Sequence, residues 1–322
     1  MSLKDKVAII GVGITKFGDN FEMTFQDMMV QAVYDAYQDA GMSRKEIEAV
    51  WFSTFGPDDV GMEGKGGSGV ADALGLFPKP VTRVENYCTS GMEAVRNGAI
   101  AIASGLYDMV MAVGVEKMRD LPPRGSLAAR HIEKTHPVLC KGRTNPTIFA
   151  LVARRYFQHF GIGKDTLARI AIKNHHNGTL NPKAHFRREV TMEQALAAPM
   201  VADPLGLYDC CPTTDGAAAV IMTSRETAER LGKDYVLIRG VGLSQNAGYF
   251  TTQFDPDNDF RGFAATRSAA EMAYKEAGIT DPLKQIDLAE VHDCFTITEL
   301  VNYEDLGFCA KGEGGRFITE GM

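Results

Sequence analysis

The sequence predicts an α/β protein built on a duplicated β-α-β-α-β-α-β core, with an inserted loop region and a second copy shorter than the first. Three observations predict it. The apolar run Val7-Ala8-Ile9-Ile10-Gly11-Val12-Gly13 recurs as Val236-Leu237-Ile238-Arg239-Gly240-Val241-Gly242, and each reads as a buried strand entering a tight turn. The helices that follow end alike, Ala36-Tyr37-Gln38-Asp39-Ala40-Gly41 and Ala273-Tyr274-Lys275-Glu276-Ala277-Gly278, each with glycine just past its C-terminus. A polar link and a further strand come next in both, at residues 47–53 and 286–292.

The first copy continues with a short helix over 70–76 and a strand over 81–85. A helix over 90–104 follows, with small apolar residues all round and therefore buried, and then a strand over 108–115. Right-handed crossovers make this a mostly parallel sheet with helices on its faces. Two helical patterns, 146–160 and 164–177, fall in the insertion, and 209–223 reads as a turn and a closing strand. The chain thus divides into an N-terminal half (1–118), an inserted loop domain (119–204), a closing strand of the first half (205–232) and a C-terminal half (233–322). After the strand over 286–292 and a helix over 297–306, the second copy lacks counterparts of the first copy's third strand, long helix and last strand. A natural polypeptide of this kind is expected to continue past Met322, and the apolar face those elements would cover is expected to lie exposed.

Composition narrows the function. With 45% hydrophobic and 23% charged residues among 322, the chain matches an ordinary globular protein. A net charge of -7 argues against nucleic-acid or membrane-surface binding, so a polyanionic ligand would need a local basic patch. No apolar run reaches the length of a membrane span, and residues 1–12 carry no export signal, which points to a cytoplasmic protein with reduced thiols. The six cysteines (88, 140, 210, 211, 294 and 309) form no Cys-x-x-Cys pair, so neither a zinc ribbon nor a redox dithiol is expected, nor any metal.

Two segments carry chemistry. Asn86-Tyr87-Cys88-Thr89-Ser90-Gly91-Met92-Glu93 joins a strand to a helix. A cysteine there meets unpaired N–H groups and the helix dipole, which favour a thiolate and can hold an oxyanion. The competing reading is a buried structural cysteine. His292-Asp293-Cys294-Phe295 ends the second strand of the other copy, where a histidine can bond a developing oxyanion and a cysteine can move a proton. A half-buried His-Asp pair in a loop is the competing reading there.

Asn-x-Cys-x-Ser-Gly before a small-residue helix resembles the nucleophile segment of the thiolase superfamily. Asp209-Cys210-Cys211-Pro212-Thr213-Thr214-Asp215-Gly216-Ala217-Ala218-Ala219 is similar to the turn and strand that close the first half in that superfamily, and Gly114-Val115-Glu116-Lys117-Met118 fits its strand end. His-Asp-Cys-Phe is similar to the segment of the sterol-carrier-protein-type thiolases. The resemblance runs from residue 7 to residue 322.

It implies a thiolase-like layered α/β/α/β/α fold and an acyl-CoA C-acyltransferase, acting in 3-ketoacyl-CoA thiolysis or acetyl-CoA condensation. Cys88 would carry the acyl group, His292 would help form an oxyanion hole, and Cys294 would act as acid and base at the acetyl-CoA carbon. Coenzyme A thioesters would be substrates, with no permanently bound cofactor. A homodimer pairing through residues 81–85 is implied, together with a site in which His292 and Cys294 serve the same substrate as Cys88. The family's Gly-His-Pro segment, which supplies a base for the nucleophile, does not occur in residues 1–322. Three other readings stay open: a thiolase-fold retro-aldolase with a small accessory subunit, a C-acyltransferase subunit, and a non-catalytic scaffold binding CoA esters.

Other signals are weaker. Gly11-Val12-Gly13 lacks the third glycine of a dinucleotide loop, since residue 16 is Lys16. The glycine-rich stretch 61–69 lacks phosphate-loop spacing, and His175-His176 sits late in a polar helix. Cys210-Cys211 precede a proline turn and read as structural. Arg154, Arg155, Lys173, Arg187 and Arg188 of the insertion are candidates for phosphate contact, with surface solvation as the commoner role.

Overall fold

The computed structural model describes residues 2–55, 66–120, 144–245 and 260–321. Cys140 and residues 61–65 of the glycine-rich stretch lie outside them. The chain begins β1 (Val7–Ile14), α1 (Phe25–Ala40), β2 (Ala49–Ser53), α2 (Gly67–Leu74), β3 (Val81–Val84), α3 (Ser90–Ala103) and β4 (Met109–Glu116). It continues through α4 (Asn145–Phe160), α5 (Lys164–Leu180), α6 (Met192–Ala197), β5 (Met200–Ala202) and β6 (Leu205–Gly206). Next come β7 (Gly216–Ser224), α7 (Arg225–Arg230) and β8 (Val236–Ile238). The last described elements are α8 (Ala264–Ala277), α9 (Pro282–Gln285), α10 (Thr296–Asp305) and α11 (Gly314–Glu320). No described helix is long and apolar enough to cross a membrane.

The described residues form two compact units: residues 2–55, 66–120, 183–185 and 213–241 in one, and 144–182, 186–212, 242–245 and 260–321 in the other. The first unit is a six-stranded sheet in the order β3-β2-β4-β7-β1-β8. Period-two alternation sends its side chains to two cores. Met109, Met111, Val113 and Val115 of β4 pack with Phe25, Met28 and Met29 of α1. Val110 and Ala112 face the other way, onto Ala94, Ala99 and Ile102 of α3. At Gly13, a Cβ would stand 1.9 Å from the carbonyl oxygen of Ala32, so α1 lies on β1 backbone to backbone.

The duplicated helix ends form as expected. Gly41 (φ 58°) and Gly278 (φ 82°) both take the left-handed conformation that closes a helix. The expected mostly parallel sheet is a mixed one. β2 runs parallel to β3 and β4, whereas β7 lies antiparallel between β4 and β1, and β8 antiparallel beside β1. A strand that re-enters after a long insertion is not bound by the handed β-α-β crossover, so β7 is free to run either way. α3 is also not buried all round, because Met92 (75%) and Ile100 (41%) are exposed.

The second unit is helical. All ten residues of α10 are buried, and α4, α5, α8 and α11 pack on it. The strand expected over 286–292 is not formed. No strand beside it among the described residues takes up its N–H and C=O groups, and Leu288 is 79% exposed. Alternating polarity alone does not make a strand without a ladder partner.

Candidate active site

In the first unit, Cys88 sits just before Thr89, which caps α3. The turn is fixed by its neighbours. Ser90, buried at 5% exposure, donates its hydroxyl to the carbonyl oxygen of Tyr87 (2.6 Å) and accepts from the backbone N–H of Asn86 (2.8 Å). Thr89 donates to the carbonyl oxygen of Asn86 (2.8 Å), and Glu85 accepts from the backbone N–H of Tyr87 (2.6 Å). Between these ties Tyr87 adopts φ 48°, a conformation that costs a non-glycine residue of order 1–3 kcal/mol. The result is an outward-turned, exposed Cys88 on a strained strand-to-helix corner.

The thiol is not activated as the sequence suggested. Although the residue has exposed surface, the protein packed around it pushes the Cys88 thiol up, and Glu116 adds to the effect. The backbone N–H of Cys88 pulls the other way and loses. Cys88 lies outside the first helical turn, so the dipole acts on it weakly, while desolvation of a thiolate is a short-range cost. Glu116 itself is held at the end of β4 by Thr54, whose hydroxyl donates to it at 3.3 Å, and by the backbone N–H of Phe55.

Residues just after Glu116 are anchored by a buried ion pair. Lys117 meets Asp215 at 2.8 Å, and Asp215 also accepts from the backbone N–H groups of Met118 (2.7 Å) and Arg119 (2.8 Å). Burial opposes ionisation of Asp215, but the Lys117 hydrogen bond and these N–H groups outweigh it and hold the carboxyl below its usual range. The segment Asp209 to Ala219 thus delivers a structural anchor in this unit at Asp215.

In the second unit, Cys294 stands in the same relation to α10 as Cys88 does to α3, immediately before the helix cap, here Phe295. Its sulfur lies 3.6 Å from the hydroxyl of Thr298. Its carbonyl oxygen accepts from the backbone N–H of Cys211 (3.0 Å), and Thr296 donates to Asp209 (3.0 Å), so the Asp209–Cys211 stretch braces the corner. Burial pushes the Cys210 thiol up to about 12, which fits an inert structural role. The carbonyl oxygen of His292 accepts from Asn302 (3.3 Å). His292 has exposed surface, yet protein atoms crowd its ring and displace water that would solvate an imidazolium, so its pKa is lowered.

Asp293, which the sequence reading set only in a half-buried His-Asp pair, has partners of its own. It shares the side-chain amide of Asn174 with Glu299, each carboxylate accepting at 2.6 Å. Lys173, a candidate for phosphate contact, instead turns inward to Glu299 at 2.7 Å and donates to Asn174 (2.6 Å). Arg154 likewise pairs with Asp203. His175 donates from Nδ1 to the Arg188 carbonyl oxygen (3.2 Å), and His176 pairs with Glu189 (2.8 Å). The signal for the inward pair was faint: Lys173-Asn174 lies in a polar stretch of α5 that looks like a solvated face.

The model of the thiolase N-terminal domain matches residues 7–226, and that of a thiolase C-terminal domain-like family matches residues 248–322. An acetyl-CoA acetyltransferase of Methanothermobacter thermautotrophicus is 39% identical, covering 98% of this chain and 81% of that protein. Sterol carrier protein 2 of Oryctolagus cuniculus is 29% identical over 98% of this chain, which spans 59% of its length. Among solved structures, the Ltp2-ChsH2(DUF35) aldolase superposes with a TM-score of 0.82 at 26% identity, covering 99% of this chain and 81% of that one. With both family models matched in order along one chain, this protein belongs to the thiolase family.

Proposed function

We propose that the chain is a thiolase-type acyl-CoA C-acyltransferase in which Cys88 carries the acyl group. The observation that supports this most is the strained, locked corner that turns Cys88 outward in a member of the thiolase family. In the thiolysis direction, the Cys88 sulfur attacks the 3-keto carbonyl of a 3-ketoacyl-CoA, and the carbonyl oxygen becomes an oxyanion. That oxyanion collapses, the bond between C2 and C3 breaks, and the electron pair leaves on C2 as the enolate of acetyl-CoA. Cys294 gives C2 its proton, and His292, neutral by virtue of its lowered pKa, donates an N–H to the enolate oxygen. Coenzyme A then takes the acyl group from Cys88, its thiol proton replacing the one Cys294 gave up, and the freed Cys88 thiolate regains the proton it had passed to an acceptor before it attacked. Burial, with Glu116 adding to it, opposes ionisation of Cys88, so acylation depends on a proton acceptor.

Coenzyme A thioesters are substrates in this reading, and no permanently bound cofactor enters it. Incubation with acetyl-CoA followed by intact-mass and peptide analysis is expected to show an acetyl adduct on Cys88 that Cys88→Ala abolishes. An adduct of equal size in the variant would refute the assignment. The chain is also read as a homodimer through β3. This strand is an edge of the sheet, and the adjoining Tyr87 (63%) and Met92 (75%) are exposed. Sedimentation at micromolar protein is expected to give twice the monomer mass.

A second reading is favoured by one observation, the likeness to the Ltp2-ChsH2(DUF35) aldolase, whose name pairs two proteins. A retro-aldolase with a small accessory subunit would cleave a β-hydroxyacyl-CoA without forming an acyl-Cys88. Release of an aldehyde or ketone with no adduct would select it over thiolysis.

A further inference from the structure

We propose that Asn174 is a positioning residue for the His292–Cys294 segment: its single side-chain amide ties the carboxylates of Asp293 and Glu299 together and so sets the entry to α10. The proposal rests on Cys294 acting on the substrate carbon.

The geometry leaves little freedom. The Nδ2 atom of Asn174 has two hydrogens, and both are used, one on Asp293 and one on Glu299, each at 2.6 Å. Its oxygen accepts from Lys173 (2.6 Å), so the amide cannot flip without placing an oxygen against two carboxylates. Glu299, 2% exposed, also meets Lys173 (2.7 Å) and accepts from the hydroxyl of Tyr303. Burial, with Glu299 adding repulsion, pushes the Asp293 carboxyl up to about 6, while Lys173, the backbone N–H of Asp293 and Asn174 pull the other way. Asn174 is the side chain that hydrogen-bonds Asp293 and Glu299 alike.

The groups facing Asp293 can be named. They are Lys173 and Asn174 on α5, Glu299 and Tyr303 on α10, and His292 and Cys294 on either side in the chain. When pH rises through about 6, Asp293 ionises beside the Glu299 carboxyl group, whose repulsion helps to raise it. Without the bridging amide, two like charges in a desolvated setting would separate. Asp293 moves with the two residues bonded to it, and those are His292 and Cys294. Asn174 thus resists, at working pH, a displacement that would carry both candidate groups with it.

Asn174→Asp and Asn174→Ala separate this from plain packing. Neither donates two hydrogen bonds, but a protonated aspartic acid donates one. Turnover by Asn174→Asp is expected to fall roughly tenfold to a hundredfold near pH 8, with KM little changed, and to recover as pH falls below about 6. Asn174→Ala is expected to lose as much near pH 8 and to recover in part below about 6, where Asp293 is neutral and the repulsion is gone. Losses that are equal at every pH and follow the melting temperature would overturn the proposal, as would no loss at all. An independent measurement needs no turnover: iodoacetamide labelling of Cys294, followed by peptide mapping with Cys294→Ser as control. The ratio of labelling rates between Asn174→Ala and the native protein is expected to change with an inflection near about 6, as Asp293 ionises without its bridge. A flat ratio would also overturn it. Absence of an acyl adduct on Cys88 would instead count against the acyltransferase reading, and the labelling result would stand apart from it.

Discussion

Ser90 closes a ring with Tyr87: its hydroxyl donates to the Tyr87 carbonyl at 2.6 Å, across the residue that follows Tyr87 in the chain, Cys88. The same hydroxyl oxygen accepts from Asn86 at 2.8 Å, so one buried side chain holds both ends of the corner. Ser90→Ala is expected to lower stability by roughly 1–3 kcal/mol, since it leaves buried polar groups short of a partner. It should also slow acylation of Cys88 by more than the stability change alone implies. Urea denaturation and single-turnover acylation measure the two effects.

Glu116 raises the Cys88 thiol through its charge. Glu116→Gln keeps an oxygen for Thr54 and for the Phe55 N–H while removing that charge. The folded thiol then ionises more easily, so iodoacetamide should label Cys88 faster at neutral pH in the variant. The inflection of labelling rate against pH should move down, and an upward shift would contradict the stated cause.

Asp293 and His292 give opposite pH signatures. The folded pKa of Asp293 is raised from 3.8 to about 6, so its contribution to stability is complete below 3.8 and is lost as pH rises through about 6. His292 is lowered from 6.5, so its contribution is complete above 6.5 and is lost as pH falls through the folded value. Asp293→Asn should therefore gain stability relative to the native protein at about pH 7 compared with about pH 4, by roughly 1–2 kcal/mol after screening. Denaturant titrations at the two pH values check the sign.

Gly13 and Gly18 are a matched pair. Alanine at 13 would put its Cβ 1.9 Å from a carbonyl oxygen of α1, and backbone cannot turn aside as a side chain can. Gly13→Ala is expected to cost roughly 3 kcal/mol or more. Gly18 has nothing within 4 Å of its would-be Cβ, so Gly18→Ala should stay within about 0.5 kcal/mol of the native protein. Melting curves of the two variants decide it.

Much of the first unit was legible in the sequence because its signals are local. Glycine at 41 and 278 ends a helix by its own conformational freedom, and the alternation in β4 is a backbone periodicity. The corner at Cys88 was legible for the same reason, as a strand run meeting a small-residue helix. Direction and pairing were less so: β7 runs antiparallel because of where the chain re-enters the sheet, and no residue in β7 records that. The segment 286–292 has the composition of a strand, but ladder pairing depends on a neighbour. The charge state of Cys88 was misread because dipole position is a matter of sequence and desolvation is a matter of packing. Asn174 escaped notice because its partners, Asp293 and Glu299, are far along the chain and the intervening residues carry no pattern that joins them.

α10 has a consequence for how its unit assembles. The helix seals Glu299, Glu304 and Asp305 away from water, and each draws counter-groups from segments outside the helix, with Lys311 shared by Glu304 and Asp305. Glu304 has Tyr156 from α4 and the N–H groups of Gly312 and Gly314. Asp305 has Arg267 from α8 and Lys311 from the loop after α10. None of these carboxylates can shed its hydration shell until its own partner has arrived, and the three partner sets come from before and after the helix in the chain. α10 therefore cannot dock early and wait for the rest. The surrounding helices have to converge on it in one concerted step, and the amide hydrogens along its length should exchange with solvent only when that whole cluster comes apart at once.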